Sequence, residues 1–499
     1  MKKSIEIRNN QPVALDAIPV LGYTDFLEHN TALMAHKDWH CINYFGQPVN
    51  GLIRLICCMA NDNARTIHVN VALVNQSDQL PSFTRRHFSF HIFEREIHES
   101  LGIHYTDHPW LKPVRYPWYR ADLNQKIENY PFYHIESEEL HEVGVGPIHA
   151  GVIEPGHFRF ICNGEQILHL EIHLGFQHRG IEKLMIEKKD LLSRTILAES
   201  IAGDTVVGHT TAFVNLWESL SGFTPSPDLV QARTLALEWE RIAIHSGDLS
   251  AIATDIAYQL GSSVFGRLRT PIINAFQTWG GNRLAKGLIR PFRSRFPFDD
   301  TLAENFSNVL NAYWPDYTEM FDRMIDLPSV LSRLEKTGVV TREQNLQIGA
   351  VGMAARSANL ERDVRKSHPY LGYHNINHTP VLMPQGDVYA RTQIRDSEIR
   401  QSIGYARTLM QEMPKPSPQN TTINPPAPNT LIVSLVEGWR GEICHAAIIG
   451  DDGDLALYKI KDPSMHNWTA LALAVRNNEI SDFPICNKSY NLSYCGFDL

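Results

Sequence analysis

The sequence predicts an α+β protein: a small N-terminal α/β module followed by a larger domain, in which a central helical bundle is flanked by β-strands. Three observations carry this. Two apolar, β-branched runs lie on either side of a turn near residue 62. Helical periodicity dominates from about Gly180 to Leu360. Strand alternation occurs both before that region and again towards the C-terminal end.

In chain order, residues 51–75 contain two such runs separated by Asn61–Asp62–Asn63, the pattern of a hairpin. From Phe88 to Leu101 the spacing turns helical. Phe93, Ile97 and Leu101 share a face with charges opposite, and Gly102 is placed to end the helix. The proline- and aromatic-rich stretch that follows, His108-Pro-Trp-Leu-Lys-Pro onward, reads as an irregular arm that wraps something. Residues 1–125 form the first module and 126–143 a linker. Residues 144–178 return to strands, with a hairpin turning at Asn163–Gly164. Long helical segments are expected at 181–202, 228–260 and 301–336. Pro414–Pro428, within 410–430, is a polar, proline-rich loop, and the strands after it turn at Asp452–Gly453. The second domain covers 144–499, and no internal repeat is present.

The 499 residues suffice for two or three domains, and 43% hydrophobic and 20% charged residues are ordinary for a globular chain. A formal net charge of −9 argues against nucleic acid and against direct adhesion to an anionic membrane surface. No stretch reaches the roughly 18 apolar residues of a membrane span. The start, MKKSIEIRNNQPVALD, has no apolar segment after its basic tip, so a cytoplasmic location is expected. The seven cysteines are odd in number and show no C-x-x-C pair. They form neither a disulfide framework nor an iron–sulfur ligand set.

Longer motifs carry a resemblance. Phe93-Glu-Arg-Glu-Ile-His-Glu with His108-Pro-Trp-Leu-Lys-Pro resembles the small hydrophilic (30 kDa) subunit of respiratory complex I. Further on come Gly146-Pro-Ile-His-Ala-Gly, His178-Arg-Gly-Ile-Glu-Lys-Leu, Arg362-Asp-Val-Arg, Gly386-Asp-Val-Tyr-Ala-Arg, Glu437-Gly-Trp-Arg-Gly-Glu and Lys461-Asp-Pro-Ser-Met-His-Asn-Trp. In that order they resemble the 49 kDa complex I subunit and the large subunit of nickel–iron hydrogenases. The fusion of the two resembles membrane-bound hydrogenases of the formate hydrogenlyase and hydrogenase-4 type.

The resemblance also locates a departure. Nickel–iron hydrogenases hold their metal pair through two C-x-x-C motifs, whose soft thiolates suit nickel and low-spin iron. Here Ala202 and Thr205 stand at the early positions. Ser493 and Gly496 stand at the late ones, with Cys495 one step out of register. Hydrogenase precursors also carry a tail that is clipped after metal insertion, and this chain ends at Leu499. The expectation is a protein not loaded with nickel.

For the remaining cleft the resemblance implies five residues. His149 takes the position of a histidine that contacts the quinone head in complex I, and Glu199 that of the acid behind it. Such a His–carboxylate pair can relay protons near neutral pH. The tyrosine that also contacts the quinone falls at or near Asp190. Glu182 matches the glutamate that passes protons to the hydrogenase metal site, and Arg179 opens the same Arg-Gly-Ile-Glu motif. Structural salt bridges are the plain alternative for each.

Two other patterns invite a site reading. His169, Glu171 and His173 alternate along a strand and share a face, but they lack the H-E-x-x-H order of a zinc site. A solvated or partner-facing row fits them better. Gly144-Val-Gly-Pro-Ile-His lacks the third glycine of a dinucleotide fingerprint.

The expected function is therefore a peripheral subunit of a complex I-like, energy-converting membrane oxidoreductase, without a nickel–iron site and binding no cofactor itself. Electrons would come from a small iron–sulfur partner subunit. Antiporter-like membrane-arm subunits would hold the complex at the inner face of the cell membrane and handle proton or ion translocation. The alternative is a catalytically silent scaffold joining the iron–sulfur subunit to the membrane arm.

Overall fold

The computed structural model describes residues 2–149, 153–417 and 423–499. Part of the proline-rich loop lies outside these residues. Strands β1 (Ile5–Ile7), β2 (Val13–Ala14) and β3 (Val20–Leu21) and helix α1 (Tyr23–Leu33) lead into three long antiparallel strands, β4 (Trp39–Val49), β5 (Leu52–Asn61) and β6 (Thr66–Val74). The expected 51–75 hairpin is β5–β6, closed by residues 62–65. The sheet order is β1-β6-β5-β4, with β3 running parallel beside β6. The β4–β5 turn is Asn50–Gly51, both at positive φ (49° and 79°), which matches the twist of a two-residue hairpin.

The short parallel pair β7 (Gln79–Pro81) and β8 (His104–Thr106) flanks helix α2 (His91–Leu101), which Gly102 ends in the left-handed conformation. The charged face of α2, expected opposite the core, is also buried. Glu94, Arg95, Glu96 and Glu99 are at most 8% exposed. Amphipathic spacing identifies the face towards the sheet. It cannot show what covers the opposite face: Ser82 and Thr84 bond Glu94, the Lys112 and Pro113 carbonyls accept from Arg95, the Arg115 and Tyr116 N–H groups bond Glu99, and Glu96 meets Arg115 and Lys459 of the C-terminal sheet.

The next sheet has the order β11-β10-β9, from β9 (His141–Val145), β10 (His157–Asn163) and β11 (Gln166–His173). Its hairpin turns at Gly164–Glu165, one residue later than the sequence suggested, with Gly164 at φ 57°. The 181–202 segment is two short helices, α3 (Ile181–Glu187) and α4 (Leu191–Ala198). Long helices follow: α5 (Val206–Leu220), α6 (Pro227–Asp255), α7 (Gln259–Gly280) and α8 (Asp300–Ile325), with the small hairpin β12 (Ile289–Arg290) and β13 (Arg293–Ser294) between the last two. Proline opens α6, and Asp299 caps α8 by accepting the Leu302 N–H at 2.9 Å. Short helices α9 (Pro328–Leu334), α10 (Arg342–Ile348), α11 (Gly352–Arg356) and α12 (Val364–Ser367) lead to α13 (Val388–Gln411), which packs along α6.

The C-terminal strands β14 (Thr430–Glu437), β15 (Glu442–Ile449) and β16 (Leu455–Lys461) form a sheet of order β16-β15-β14-β2. Every residue of β14 and β15 is buried, because α5 covers one face and the N-terminal module packs near the other. The pairing of β2 with β14 joins the first residues of the chain to the last domain. Helices α14 (Ser464–Ala474), α15 (Phe483–Tyr490) and α16 (Tyr494–Asp498) complete the chain. Among the described residues, no helix is long and apolar enough to cross a membrane.

Candidate functional site

Thr205 is the N-cap residue of α5, and Ser493 is the N-cap residue of α16. The two segments that the resemblance assigns to metal ligation thus end as two helix starts, and the fold brings them to one cavity of about 330 Å³. Glu154, Asp204, Arg440, Ser493 and Cys495 line it. Arg440 joins the two sides. Its guanidinium pairs with Asp204 (2.5 and 2.7 Å) and donates to Thr205 Oγ1 at 3.0 Å. Its Nε donates to the Asn491 carbonyl at 2.5 Å. Fork-like pairing of this kind fixes both segments in direction as well as distance.

The four ligand positions carry little that binds a metal. Ala202 is fully buried and offers a methyl group. The Thr205 hydroxyl bonds Asp204 and Arg440. Ser493 Oγ accepts the Gly496 N–H at 2.9 Å as a helix cap. A Cβ at Gly496 would stand 2.8 Å from the Asp462 carboxyl group. Cys495 is the single thiol lining the cavity, and burial, with the Glu154 carboxylate nearby, raises its pKa to about 11. It is a neutral thiol at pH 7. One thiol and two engaged hydroxyls do not fit a nickel–iron pair.

Beside the cavity runs a chain of titratable groups. Glu182, in the first turn of α3, accepts the Ile460 N–H at 2.8 Å and the Lys459 ammonium at 2.7 Å. Lys459 also holds Glu96 of α2 at 2.5 Å. Arg115 bonds Glu96 at 2.5 Å and donates to the Phe497 carbonyl at 2.6 Å. Burial raises the pKa of Glu182 more than Lys459 lowers it. For Glu96, Lys459 and Arg115 together outweigh burial, and its pKa falls. Glu182 is therefore the member of this chain that holds a proton more readily. Asp498 accepts the N–H groups of Gly175 and Gln177 at 2.8 and 2.7 Å, and burial pushes its pKa up to about 7. On the far side of Gly496, Asp462 bonds His209 (3.0 Å), His209 bonds His445 (3.1 Å), and His445 bonds Tyr458 (2.8 Å), all fully or nearly fully buried.

The five sequence candidates do not form one constellation. Arg179 is not among the lining residues; it donates to the carbonyls of Ser200 (2.5 Å), Ile201 (2.9 Å) and of Cys495 in the cavity wall (3.0 Å). Glu182 sits in the ion chain described above. His149 packs edge-on against Phe158 (5.6 Å), and its Nε2 has no hydrogen-bond partner. The expected His149–Glu199 pair does not form. Glu199 binds Arg290 at 2.5 Å and the Gly287 N–H at 2.6 Å, because the β12–β13 hairpin brings a stronger cation to it. Asp190 is exposed and caps α4 by accepting the Ser193 N–H at 2.8 Å. The 150–152 stretch, inside the motif that begins at Gly146, lies outside the described residues.

Glu154, Asp204 and Arg440 line the cavity without having stood out in the sequence as site residues. The usable signal was the mixed charge around the two segments that the resemblance aligns with C-x-x-C motifs. The His169–Glu171–His173 row also resolves. The arm after α2 covers it, with Lys112 and Tyr130 bonding Glu171 (2.5 and 3.0 Å) and Tyr130 stacking on His173. The partner facing this row is a segment of the same chain.

Comparison with known proteins places the two parts. Residues 23–122 match the family described as respiratory-chain NADH dehydrogenase, 30 Kd subunit, and residues 260–498 match the 49 Kd subunit. The chain is 27% identical to hydrogenase-4 component G of Escherichia coli over 78% of this chain and 67% of that protein. It is 25% identical to formate hydrogenlyase subunit 5 of the same organism (86% and 78%). It is also 25% identical to the C/D subunit of the NADH-quinone oxidoreductase of Phocaeicola vulgatus (82% and 84%).

Proposed function

We propose that this fusion of a 30 kDa-type and a 49 kDa-type domain of respiratory-chain NADH dehydrogenase is a peripheral subunit of an energy-converting membrane complex, working without nickel. The names of its relatives support the setting: a hydrogenase component, a formate hydrogenlyase subunit and a quinone oxidoreductase subunit. In this reading the electrons come from a small iron–sulfur partner, and membrane-arm subunits of the antiporter type hold the chain at the inner face of the membrane. The chain itself handles protons at the cleft.

The observation that carries this reading is the Arg440 bridge. It ties Asp204 and Thr205 to the backbone of Asn491, across the two segments that metal ligands would have to share. Beside it, Glu182 has a raised proton affinity and a direct path of charged groups to Glu96 and Arg115. A buried carboxyl group whose proton affinity is raised in this way is suited to take up and release a proton.

The test is turnover of the intact complex carrying Glu182→Gln or His149→Phe. The expected result is a loss of tenfold or more for Glu182→Gln, because the amide keeps the side-chain size and one of the two acceptor positions but cannot exchange the proton. Nickel assay of the same preparation is expected to give far less than one atom per complex, and stoichiometric nickel overturns the reading. A second reading, a silent scaffold, is favoured by how fully Lys459 and Arg115 are used in joining the two domains. Unchanged turnover in both variants selects it.

A further inference from the structure

A second cavity, of about 650 Å³, opens where the two domains and the arm between them meet. Its walls come from α2 (His91, Arg95), the arm (Trp110, Lys112), β11 (Glu171, His173) and α14 (Trp468). Tyr133 and Arg476 stand exposed among the lining residues. The volume lies in the range of pockets that enclose molecules of several rings.

The chemistry of the walls is specific. Arg95 is 5% exposed. Its Nε and Nη2 donate to the Lys112 and Pro113 carbonyls, each at 2.8 Å, and its guanidinium lies over the Trp110 ring at 4.2 Å. Among the described residues, no carboxylate lies within salt-bridge distance of Arg95. Of the other cations of the wall, Lys112 is matched by Glu171 at 2.5 Å and Arg476 stands exposed at the surface. Arg95 therefore brings an unbalanced positive charge to a largely apolar space, a costly arrangement without a counter-ion.

Three further nitrogens are buried without a hydrogen-bond partner: His91 Nδ1, His173 Nε2 and Trp468 Nε1. His91 is oriented by Thr469 Oγ1, 3.2 Å from its other ring nitrogen, and His173 by stacking on Tyr130 at 4.2 Å. The side chains are thus held in place by other contacts, and all three residues line the cavity. Buried polar atoms of proteins are nearly always satisfied, so three of them around one space point to an occupant with acceptor atoms.

We propose that this cavity binds a flat aromatic anion, a carboxylate or sulfonate, with its charge against the Arg95 guanidinium and its rings between the aromatic walls. The indole N–H of Trp468 and the imidazoles donate to its acceptor atoms. Arginine suits planar oxyanions because its donors form a rigid fork. The cation–π contact with Trp110 leaves the charge available on the opposite side. This site is separate from the cleft and does not depend on the function proposed for it. Because its walls come from both domains, an occupant also braces their junction.

The experiment titrates the full-length chain with 8-anilino-1-naphthalenesulfonate and with N-phenyl-1-naphthylamine, which has the same rings without the sulfonate. The expected result is one binding site, with the sulfonate probe bound at least tenfold more tightly than the neutral one. Arg95→Met removes that difference while leaving the neutral probe unchanged. Trp468→Phe, which keeps an aromatic wall and removes the N–H, weakens the sulfonate probe threefold or more. Where Arg95→Met releases the arm and fails to fold, Trp468→Phe and His173→Phe carry the test. Equal binding of the two probes, or sulfonate binding that none of the variants changes, overturns the proposal.

Discussion

The cleft and the core of the helical bundle both bury clusters of charge, and they leave different shares of their carboxylates able to hold a proton: Glu182 and Asp498 but not Glu96 in the cleft, Glu437 alone of four in the core. In the core, Glu398 takes hydrogen bonds from Arg356 (2.7 Å), Arg365 (3.0 Å) and His245 (2.8 Å), all fully buried or nearly so. Burial opposes its charge, but the surrounding guanidinium groups win, and its pKa falls well below the usual range. Asp363 behaves in the same way. Four carboxylates (Glu238, Asp363, Glu398, Glu437) face three guanidinium groups (Arg241, Arg356, Arg365). The surplus falls on Glu437, whose pKa burial and Asp363 push up to about 7. In the cleft, cations are fewer. Glu182 shares one lysine with Glu96, and Asp498 has only backbone donors. The ratio of guanidinium to carboxylate decides whether a buried acid is locked as an anion or left able to carry a proton.

The sharpest way to break this contrast is to remove a carboxylate from the core. Glu398→Gln leaves Arg356 and Arg365 short of a counter-charge without changing the side-chain volume. The expected loss is about 3–5 kcal/mol of unfolding free energy, the cost of stripping a partner from a buried pair. Urea denaturation of the isolated chain measures it, and a loss below about 1 kcal/mol shows that the cluster is not held by charge.

The cleft predicts the opposite kind of pH dependence. Burial raises the pKa of Asp498 above its unfolded value, so the folded state binds the proton more tightly. The stability this supplies is complete below pH ~4, the unfolded pKa, and is lost as pH rises through about 7. Asp498→Asn removes the titration. Relative to the variant, the parent chain should lose up to about 1.4 kcal/mol per pH unit across that window. Denaturation midpoints at several pH values read this out. Parallel curves for the two proteins contradict the raised proton affinity. Glu238, Asp363 and Glu398 act in the other direction, since their stabilisation is lost only as pH falls through their lowered pKa values.

The two regions also differed in how readable they were from sequence. The hairpin of β5 and β6, helix α2 with its Gly102 stop, and helices α6 and α8 followed from periodicity and turn residues, which are local signals, although the expected 301–336 segment breaks into α8 and α9 at Asp326–Leu327. The pairing of β2 with β14 had no local signal, because it joins residues more than 400 positions apart. In the cleft, the resemblance pointed to the two segments around Thr205 and Ser493, which the fold brings to one cavity. The partner of Glu199 was not legible. Its guanidinium comes from Arg290 on a two-residue strand, and no spacing rule links the two positions. The charged face of α2 was misjudged for the same reason. Glu96 looks solvent-facing until Arg115 and Lys459 arrive from elsewhere in the chain. Long-range ion pairs leave charged residues in the sequence but do not say which charges meet.

The smallest expected effect concerns Asp190, which the resemblance placed near the cleft and the fold places on the surface as the cap of α4. A cap works through one backbone N–H, so Asp190→Ala should lower the denaturation midpoint slightly, and Asp190→Ser should recover most of the loss because serine caps nearly as well. A residue acting on a bound molecule would behave differently, since serine has neither the charge nor the reach of the carboxylate. Chemical denaturation of the two variants, set beside turnover of the assembled complex, separates these roles. If Asp190→Ser folds with parental stability yet lowers turnover tenfold, Asp190 belongs with Glu182 among the groups that serve the cleft, and the contrast between cap and site is lost at this position.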